Sequence, residues 1–319
     1  MIVSSTISRF ALAALAVSAF TPLAAAEAGF PYVDENCGFT QTFDAPPQRV
    51  VTLSSNATEL MLALGLEDHM VGTTYQGEQP IGAQYRAAYE TIPVLTPDLP
   101  TTEMLIEADA DFVYAGYPDA YDPTYHTREQ LHDLGIATRL NTEGCNAGPV
   151  TFDTLFEEIR TVAAIFGVPE RAEEVVAEME TRLEAVDASL ADVQPIPVFA
   201  YNGGVDAPGA TLGHTMLNHV ITRAGGTNIF ADIASRWGRV SWEQIADRQP
   251  EYVVVYHHLD QSPEDRIAIL NENPTIATVP AIVDQKFVIA PSILAQPGPR
   301  TIEAVERLAR AFHPEAFSD

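Results

Sequence analysis

A chain of 319 residues with 44 acidic against 17 basic side chains carries a formal charge of -27. Such a surface repels nucleic acid and anionic membranes, and excludes both as partners. With 46% of its residues hydrophobic the chain can bury substantial cores, and its length fits two domains.

The amino terminus reads as an export signal. Residues 1–9 hold one basic side chain, Arg9, residues 10–23 are almost continuously apolar, and Ala24, Ala25 and Ala26 supply small residues for cleavage. The expected mature chain begins at Glu27 and is one charge more negative. The apolar stretch is shorter than the roughly 20 residues of a spanning helix, and no later stretch approaches that length, so a transmembrane protein is not expected. No cysteine stands near the cleavage point to carry a lipid. The expected product is free in the periplasm or outside the cell. Cys37 and Cys145 are the only cysteines, and in an oxidising compartment they most simply form one disulfide. Two free thiols are the alternative, and neither has the neighbours of a catalytic nucleophile.

From Arg49 onward short apolar runs alternate with helical patterns. Residues 50–53 predict a strand and 57–64 a helix, capped by Asn56 or Ser55 and ended by Gly65. A strand follows at 70–74, a helix at 102–108, a strand at 112–115, a helix at 127–134 and a strand at 138–140. Strands separated by helices make a parallel sheet covered on both faces. A helical stretch then starts near Thr151, breaks at Gly167, Val168 and Pro169, and resumes over 170–192. In this second piece Val175, Met179, Leu183, Val186 and Leu190 recur at steps of three and four, one apolar face on a helix of roughly 30 Å. Pro195 and Pro197 end it. The rhythm restarts with strand 198–201, helices 216–224 and 242–246, strand 252–256, helix 264–270, strand 287–290 and a closing helix 302–312. The expected fold is α/β, two lobes with central parallel sheets connected by one long helix. Its expected division is a signal over 1–26, a first lobe over 27–168, the connecting helix over 169–194 and a second lobe over 195–319.

Three stretches, "PQRVVTLSSNATELMLALGLEDHMVGTT", "TTEMLIEADADFVYAG" and "AGGTNIFADIASRWGRVSWEQIADRQPEYVVVYHH", resemble the substrate-binding proteins of ABC importers for corrinoids, ferric siderophores and haem. The resemblance covers nearly all of the expected mature chain in that family's order and spacing. It implies two Rossmann-like lobes held by a rigid interdomain helix, with ligand in the cleft between them and small hinge motion on binding. It also implies a monomer without a cofactor of its own, taking an iron or cobalt chelate and working with a permease and ATPase complex.

In open parallel sheets, ligands sit at the C-terminal ends of strands, where loops and helix N-termini converge. Applied to the first lobe, this rule selects Ser55, Asn56, Tyr75, Tyr117 and Tyr121; applied to the second, Tyr201, Asn202, Trp237, Arg239, Tyr256, His257 and His258. Aromatic side chains suit a large planar or aryl-bearing chelate, giving broad contact at little cost in side-chain entropy. Tyr201 and Tyr256 end apolar strands and have core burial as their alternative. Tyr117, Asp119 and Tyr121 lie in a turn-rich loop that either covers the cleft or packs onto its own lobe. Arg239 suits a ligand carboxylate or phosphate, or else a surface ion pair. His257 and His258 follow a strand, but adjacent side chains point to opposite faces, so ligation of one ion would need His214 or a tyrosine as well.

The resemblance further implies one exposed glutamate per lobe that docks into arginine pockets of the permease. The matching positions are Glu103 in "TTEML" and Glu243 in "SWEQI". The alternative is a pair of ordinary early-helix acids favoured by the helix dipole. No phosphate-loop, nucleophile-elbow, zincin or dinucleotide fingerprint occurs, so an enzyme is not expected; a metallohydrolase around His257 and His214 is the remaining enzymatic reading. A second transport reading is a non-iron cofactor precursor of the deazaflavin type, assigned to some relatives with the "ENCGFTQTFDAPPQRVV" type of beginning. Sparse positive charge argues against a strongly anionic catecholate chelate.

Overall fold

The computed structural model describes residues 29–74, 81–145, 148–257 and 261–317. The export-signal segment, Tyr75 and His258 lie outside them. The described chain opens with an antiparallel ribbon of β1 (Tyr32–Asn36) and β2 (Phe39–Phe43), which no apolar run had announced. Its buried residues are the polar Asp34 and Asn36 and the aromatic Phe43. Asn36 donates to the Leu140 carbonyl at 2.9 Å and accepts from the Leu140 amide at 2.8 Å, while Phe43 packs edge-on against Phe112, so the ribbon is fixed by hydrogen bonds as well as by an apolar contact. The expected Cys37–Cys145 disulfide is present and ties the same ribbon down.

The first sheet is parallel throughout: β3 (Val50–Leu53), β4 (Met70–Thr74), β5 (Val94–Thr96), β6 (Phe112–Ala115) and β7 (Ala137–Leu140), in the order β5-β4-β3-β6-β7. Its helices are α1 (Ser55–Ala63), α2 (Arg86–Tyr89), α3 (Thr102–Glu107) and α4 (Arg128–Asp133). The chain builds outward from β3 to β5, then returns and builds outward through β6 and β7. The strand order therefore reverses between β3 and β6, which opens a crevice at their C-terminal ends.

Helix α5 (Phe152–Ile165) leads into α6 (Pro169–Ser189). Pro169 opens α6 instead of merely breaking the helix, since its fixed φ and missing N–H suit the first turn. The helix stops three residues short of the expected end, at Ser189, where Leu190 turns back and its amide bonds the Val186 and Asp187 carbonyls.

The second sheet contains β8 (Ile196–Tyr201), β9 (Gly209–Thr211), β10 (Gly226–Asn228), β11 (Trp237–Arg239), β12 (Tyr252–His257) and β13 (Phe287–Pro291). Its order is β11-β9-β8-β12-β13, with β10 alongside the start of β8. The centre is parallel, as expected, but β9 and β11 run antiparallel at one edge, because short connections return the chain beside itself. Around it lie α7 (Met216–Arg223), α8 (Trp242–Arg248), α9 (Pro263–Glu272), α10 (Pro280–Val283), α11 (Ser292–Ala295) and α12 (Thr301–Phe312). Here the order reverses between β8 and β12.

Each sheet has a private core on one face, built from Leu53, Val113 and Leu131 in the first lobe and from Phe199, Val255 and Leu270 in the second. Their other faces share a single core that runs from Val50, Phe112 and Tyr114 through α5 and α6 to Val198, Val254 and α12. Helix α6 contributes Val175, Met179, Leu183 and Val186 to it, and Arg182 grips Glu306 of α12 at 2.8 and 2.7 Å. A shared, close-packed interior leaves the two sheets little freedom to slide past each other.

Candidate functional site

In the first lobe β3 enters α1 through Ser54, whose backbone lies at φ 127° and ψ 157°, a region that residues with a side chain seldom adopt. Three bonds hold it there. Its amide donates to the Thr74 carbonyl at 3.1 Å, and its carbonyl accepts from the Thr58 amide at 3.0 Å and the Thr58 hydroxyl at 2.9 Å. The helix begins at Ser55, so the expectation that Ser55 or Asn56 caps it is corrected: both are inside the first turn, and Ser54 donates to Asn56 Oδ1 at 2.6 Å instead of capping. Gly116, just past β6, donates to the Leu53 carbonyl at 3.1 Å, and a Cβ there would collide with the Ser54 hydroxyl and the Asn56 amide. Gly116→Ala is expected to displace this turn at a cost of about 1–3 kcal/mol. Urea denaturation checks it, and an unchanged midpoint would mean that the turn yields freely.

Ser55 and Asn56 are buried, and Asn56 Nδ2 donates across to the Pro297 carbonyl of the second lobe at 3.3 Å. Asn56 therefore joins the lobes in this arrangement. Tyr117 is half-buried and Asp119 exposed. Tyr121 packs onto its own lobe, its hydroxyl shared between the Val113 and Arg139 carbonyls at 2.9 and 3.0 Å, with burial raising its phenol well above the usual range.

At the antiparallel edge of the second sheet, beside β9 and β11, a groove of about 260 Å³ is lined by Asn202, Gly209, Ala210, Trp237, Gly238 and Arg239. It brings together three of the expected residues, Asn202, Trp237 and Arg239. Trp237 is 40% exposed, unusual for so large an apolar side chain, and its ring rests on Tyr256 at 5.3 Å between centroids and 55° between planes. Tyr256 is buried beneath it. Burial raises its phenol far above the ordinary value, against a hydrogen bond with Gln296. Arg239 is exposed and donates through Nη1 to the Ala207 carbonyl at 2.6 Å. Tyr201 does not reach the groove: it lies wholly in the private core against Phe199 and Trp242, with its hydroxyl on the Gly204 carbonyl at 2.9 Å. The core alternative holds for it because the strand's alternation turns this position toward α8. His257 closes β12 opposite Pro291. His214 serves the lobe junction through its carbonyl, which accepts from the Val150 amide at 3.2 Å. Among the described residues no group of three or more His, Cys, Asp or Glu is placed to hold a metal ion.

Two acidic residues that sequence reasoning passed over cross between the lobes. Glu143 accepts from the Met216 amide at the start of α7 at 3.3 Å. Burial pushes its carboxyl up to about 7, against that hydrogen bond and the charge of Arg236. Glu59 accepts from the Gly82 amide at 2.7 Å and pairs with Arg300 at 3.0 Å; its burial raises its pKa, with Arg300 opposing. Nothing in a polar loop or an apolar helix marked either residue beforehand.

A family model described as periplasmic binding protein matches residues 50–294. The chain belongs to that family. Among its relatives, the cobalamin-binding protein of Halobacterium salinarum is 28% identical over 290 residues, covering 89% of this chain and 74% of the relative. The solved periplasmic binding protein of Veillonella parvula shares the fold at a TM-score of 0.82 and 24% identity, over 89% of this chain and 97% of that one. An ABC-type Fe3+-hydroxamate transport system protein of Saccharomonospora viridis follows at a TM-score of 0.76 and 27% identity, over 89% and 99%. Periplasmic binding proteins hold solutes and do not turn them over, which sets aside the metallohydrolase reading. The family works in the periplasm or outside the cell, and no described helix is long and apolar enough to cross a membrane.

Proposed function

We propose that this periplasmic binding protein captures a metal chelate of the corrinoid, ferric-siderophore or haem class between its lobes and hands it to the permease of an ABC importer. In this reading residues 1–26 are an export signal, residues 27–168 and 195–319 form the lobes, and 169–194 the strut between them. The groove lined by Trp237 supports the capture step, since a half-exposed indole held against the buried ring of Tyr256 suits a large flat ligand.

One observation carries the delivery step. Glu103 and Glu243 are exposed and occupy the same position, the second residue of α3 and of α8. Each helix is capped by a hydroxyl, Thr101 to the Met104 amide at 3.4 Å and Ser241 to the Gln244 amide at 3.2 Å. Each also leads into the strand beside its sheet's reversal point, β6 or β12. Hydrogen bonds from its own backbone and from Thr101 hold the Glu103 carboxyl below the usual carboxylate range. Two acids at equivalent places on two similar lobes suit a partner that presents two basic pockets.

Reversing both charges, Glu103→Lys with Glu243→Lys, is expected to abolish uptake into cells while leaving ligand affinity unchanged; normal uptake by that variant refutes docking through these residues. Native mass spectrometry of protein taken from its own periplasm should show the added mass of a metal chelate. A metal-free organic ligand would overturn the chelate assignment.

A further inference from the structure

Arginine grips an acid best through one edge, the parallel N–H bonds of Nε and Nη2. Among the described residues three arginines use it that way. Arg139 holds Glu158 at 3.1 and 2.7 Å, Arg160 holds Glu173 at 2.7 and 3.0 Å, and Arg182 holds Glu306 at 2.8 and 2.7 Å. On Arg236 the same two atoms, Nε and Nη2, are buried and have no hydrogen-bond partner among the described residues. Leaving the binding edge of a cation shielded from water and unbonded is costly, and such groups are rare unless something arrives to satisfy them.

The place of Arg236 says where that something comes from. It immediately precedes β11, whose first residue, Trp237, forms the aromatic wall of the groove. Burial lowers its guanidinium pKa while the charge of Glu143 raises it, so it stands in water-poor surroundings within the field of the lobe junction. Glu143 accepts the Met216 amide at 3.3 Å and makes no hydrogen bond to the Arg236 edge. Arg239, the basic residue expected to meet an acidic ligand, has turned Nη1 to the Ala207 carbonyl at 2.6 Å.

We propose that the Nε and Nη2 edge of Arg236 receives an acidic group of the cargo, a carboxylate or a phosphodiester, and so selects acid-bearing chelates over neutral ones. This rests on the chelate reading above and gives Arg236 the role expected of Arg239.

Quenching of tryptophan fluorescence tests it with two pairs of probes: haem against its dimethyl ester, which lacks free carboxylates, and cyanocobalamin against dicyanocobinamide, which lacks the phosphodiester together with its nucleoside. Wild-type protein should bind the acid-bearing member of one pair on the order of tenfold to a hundredfold more tightly than its neutral twin. The pair that shows the preference identifies the acid. Arg236→Gln should lose the preference and bind both members as wild type binds the neutral one, while Arg236→Lys, which keeps the charge without the fork, should retain part of it. Thermal melts matching wild type establish that the variants are folded; should the glutamine variant fail to fold, a full preference in the lysine variant overturns the role of the fork. Binding of the probes without an acid preference, or a preference surviving in Arg236→Gln, overturns the inference and leaves the chelate reading standing. Binding of none of the four excludes haem and corrinoid cargo and overturns this inference, leaving the siderophore arm of the chelate reading standing.

Discussion

Replacing Glu158 by leucine is expected to destabilise the protein by about 3–5 kcal/mol, because it strands a buried cation. Arg139 of β7 and Glu158 of α5 are 4% and 1% exposed, and Asp34 of β1 is 2% exposed. The guanidinium spends Nε and Nη2 on Glu158 at 3.1 and 2.7 Å and Nη1 on Asp34. Tyr114 also donates to Glu158 at 2.8 Å, as does the Thr142 hydroxyl, so every lone-pair direction of that carboxylate is used. Burial by itself would raise the Glu158 carboxyl, but Arg139 and the bonds from Thr142 and Tyr114 hold it below its ordinary value. A carboxylate with a depressed folded-state pKa contributes stability above its unfolded pKa and loses it as pH falls through the folded one. The leucine variant should therefore differ most from wild type at neutral pH and least in acid. Urea denaturation at pH 7 and pH 3 measures both, and a loss under about 1 kcal/mol at pH 7 would show that the network is not a structural tie.

Glu143→Gln is expected to do the opposite and stabilise the protein at pH 8 by about 2 kcal/mol, with no gain at pH 4. Its carboxyl stands at about 7 in the fold against an ordinary 4.5. Between those values the folded chain holds a proton that the unfolded chain has released, so stability falls as pH rises through that window. The full shift corresponds to about 3 kcal/mol, reduced here because Glu143 is only half-buried as a residue. Glutamine keeps an oxygen for the Met216 amide and removes the charge. Melting temperatures across pH 4 to pH 8 test it; parallel curves for variant and wild type would show that the junction holds Glu143 at no electrostatic cost.

The central strands and most helices were legible because their signals are local. Val50–Leu53, Met70–Thr74 and Phe112–Ala115 are apolar runs between turn formers, and a run buried on both faces needs no partner to declare itself. The face of α6 showed in the three- and four-residue steps of Val175, Met179, Leu183 and Val186, all buried in the shared core. The two cysteines stated their own pairing once the chain was read as exported. Of the residues lining the groove, Asn202 follows the parallel strand β8 as the rule for open sheets requires, whereas Trp237 and Arg239 line it from the antiparallel edge strand β11.

What stayed hidden depends on partners distant in the chain. The ribbon of β1 and β2 has polar residues on its buried side, and they are satisfied only because Leu140 and Arg139 lie across from them. Trp237–Arg239 is a strand only because β9 runs beside it. Asn56 reads as a helix cap until Pro297 arrives from the other lobe, and Tyr201 reads as a cleft residue until α8 covers it. The amino-acid sequence by itself determined the alternation of elements, their lobes and the strut between them, since periodic burial of apolar side chains is written within ten or so residues. The tertiary structure alone decided which acids and bases meet, that Glu143 spans the lobes and that the buried edge of Arg236 is left unbonded, because a charge is placed by the neighbours that folding brings to it and carries no mark of them in its local sequence.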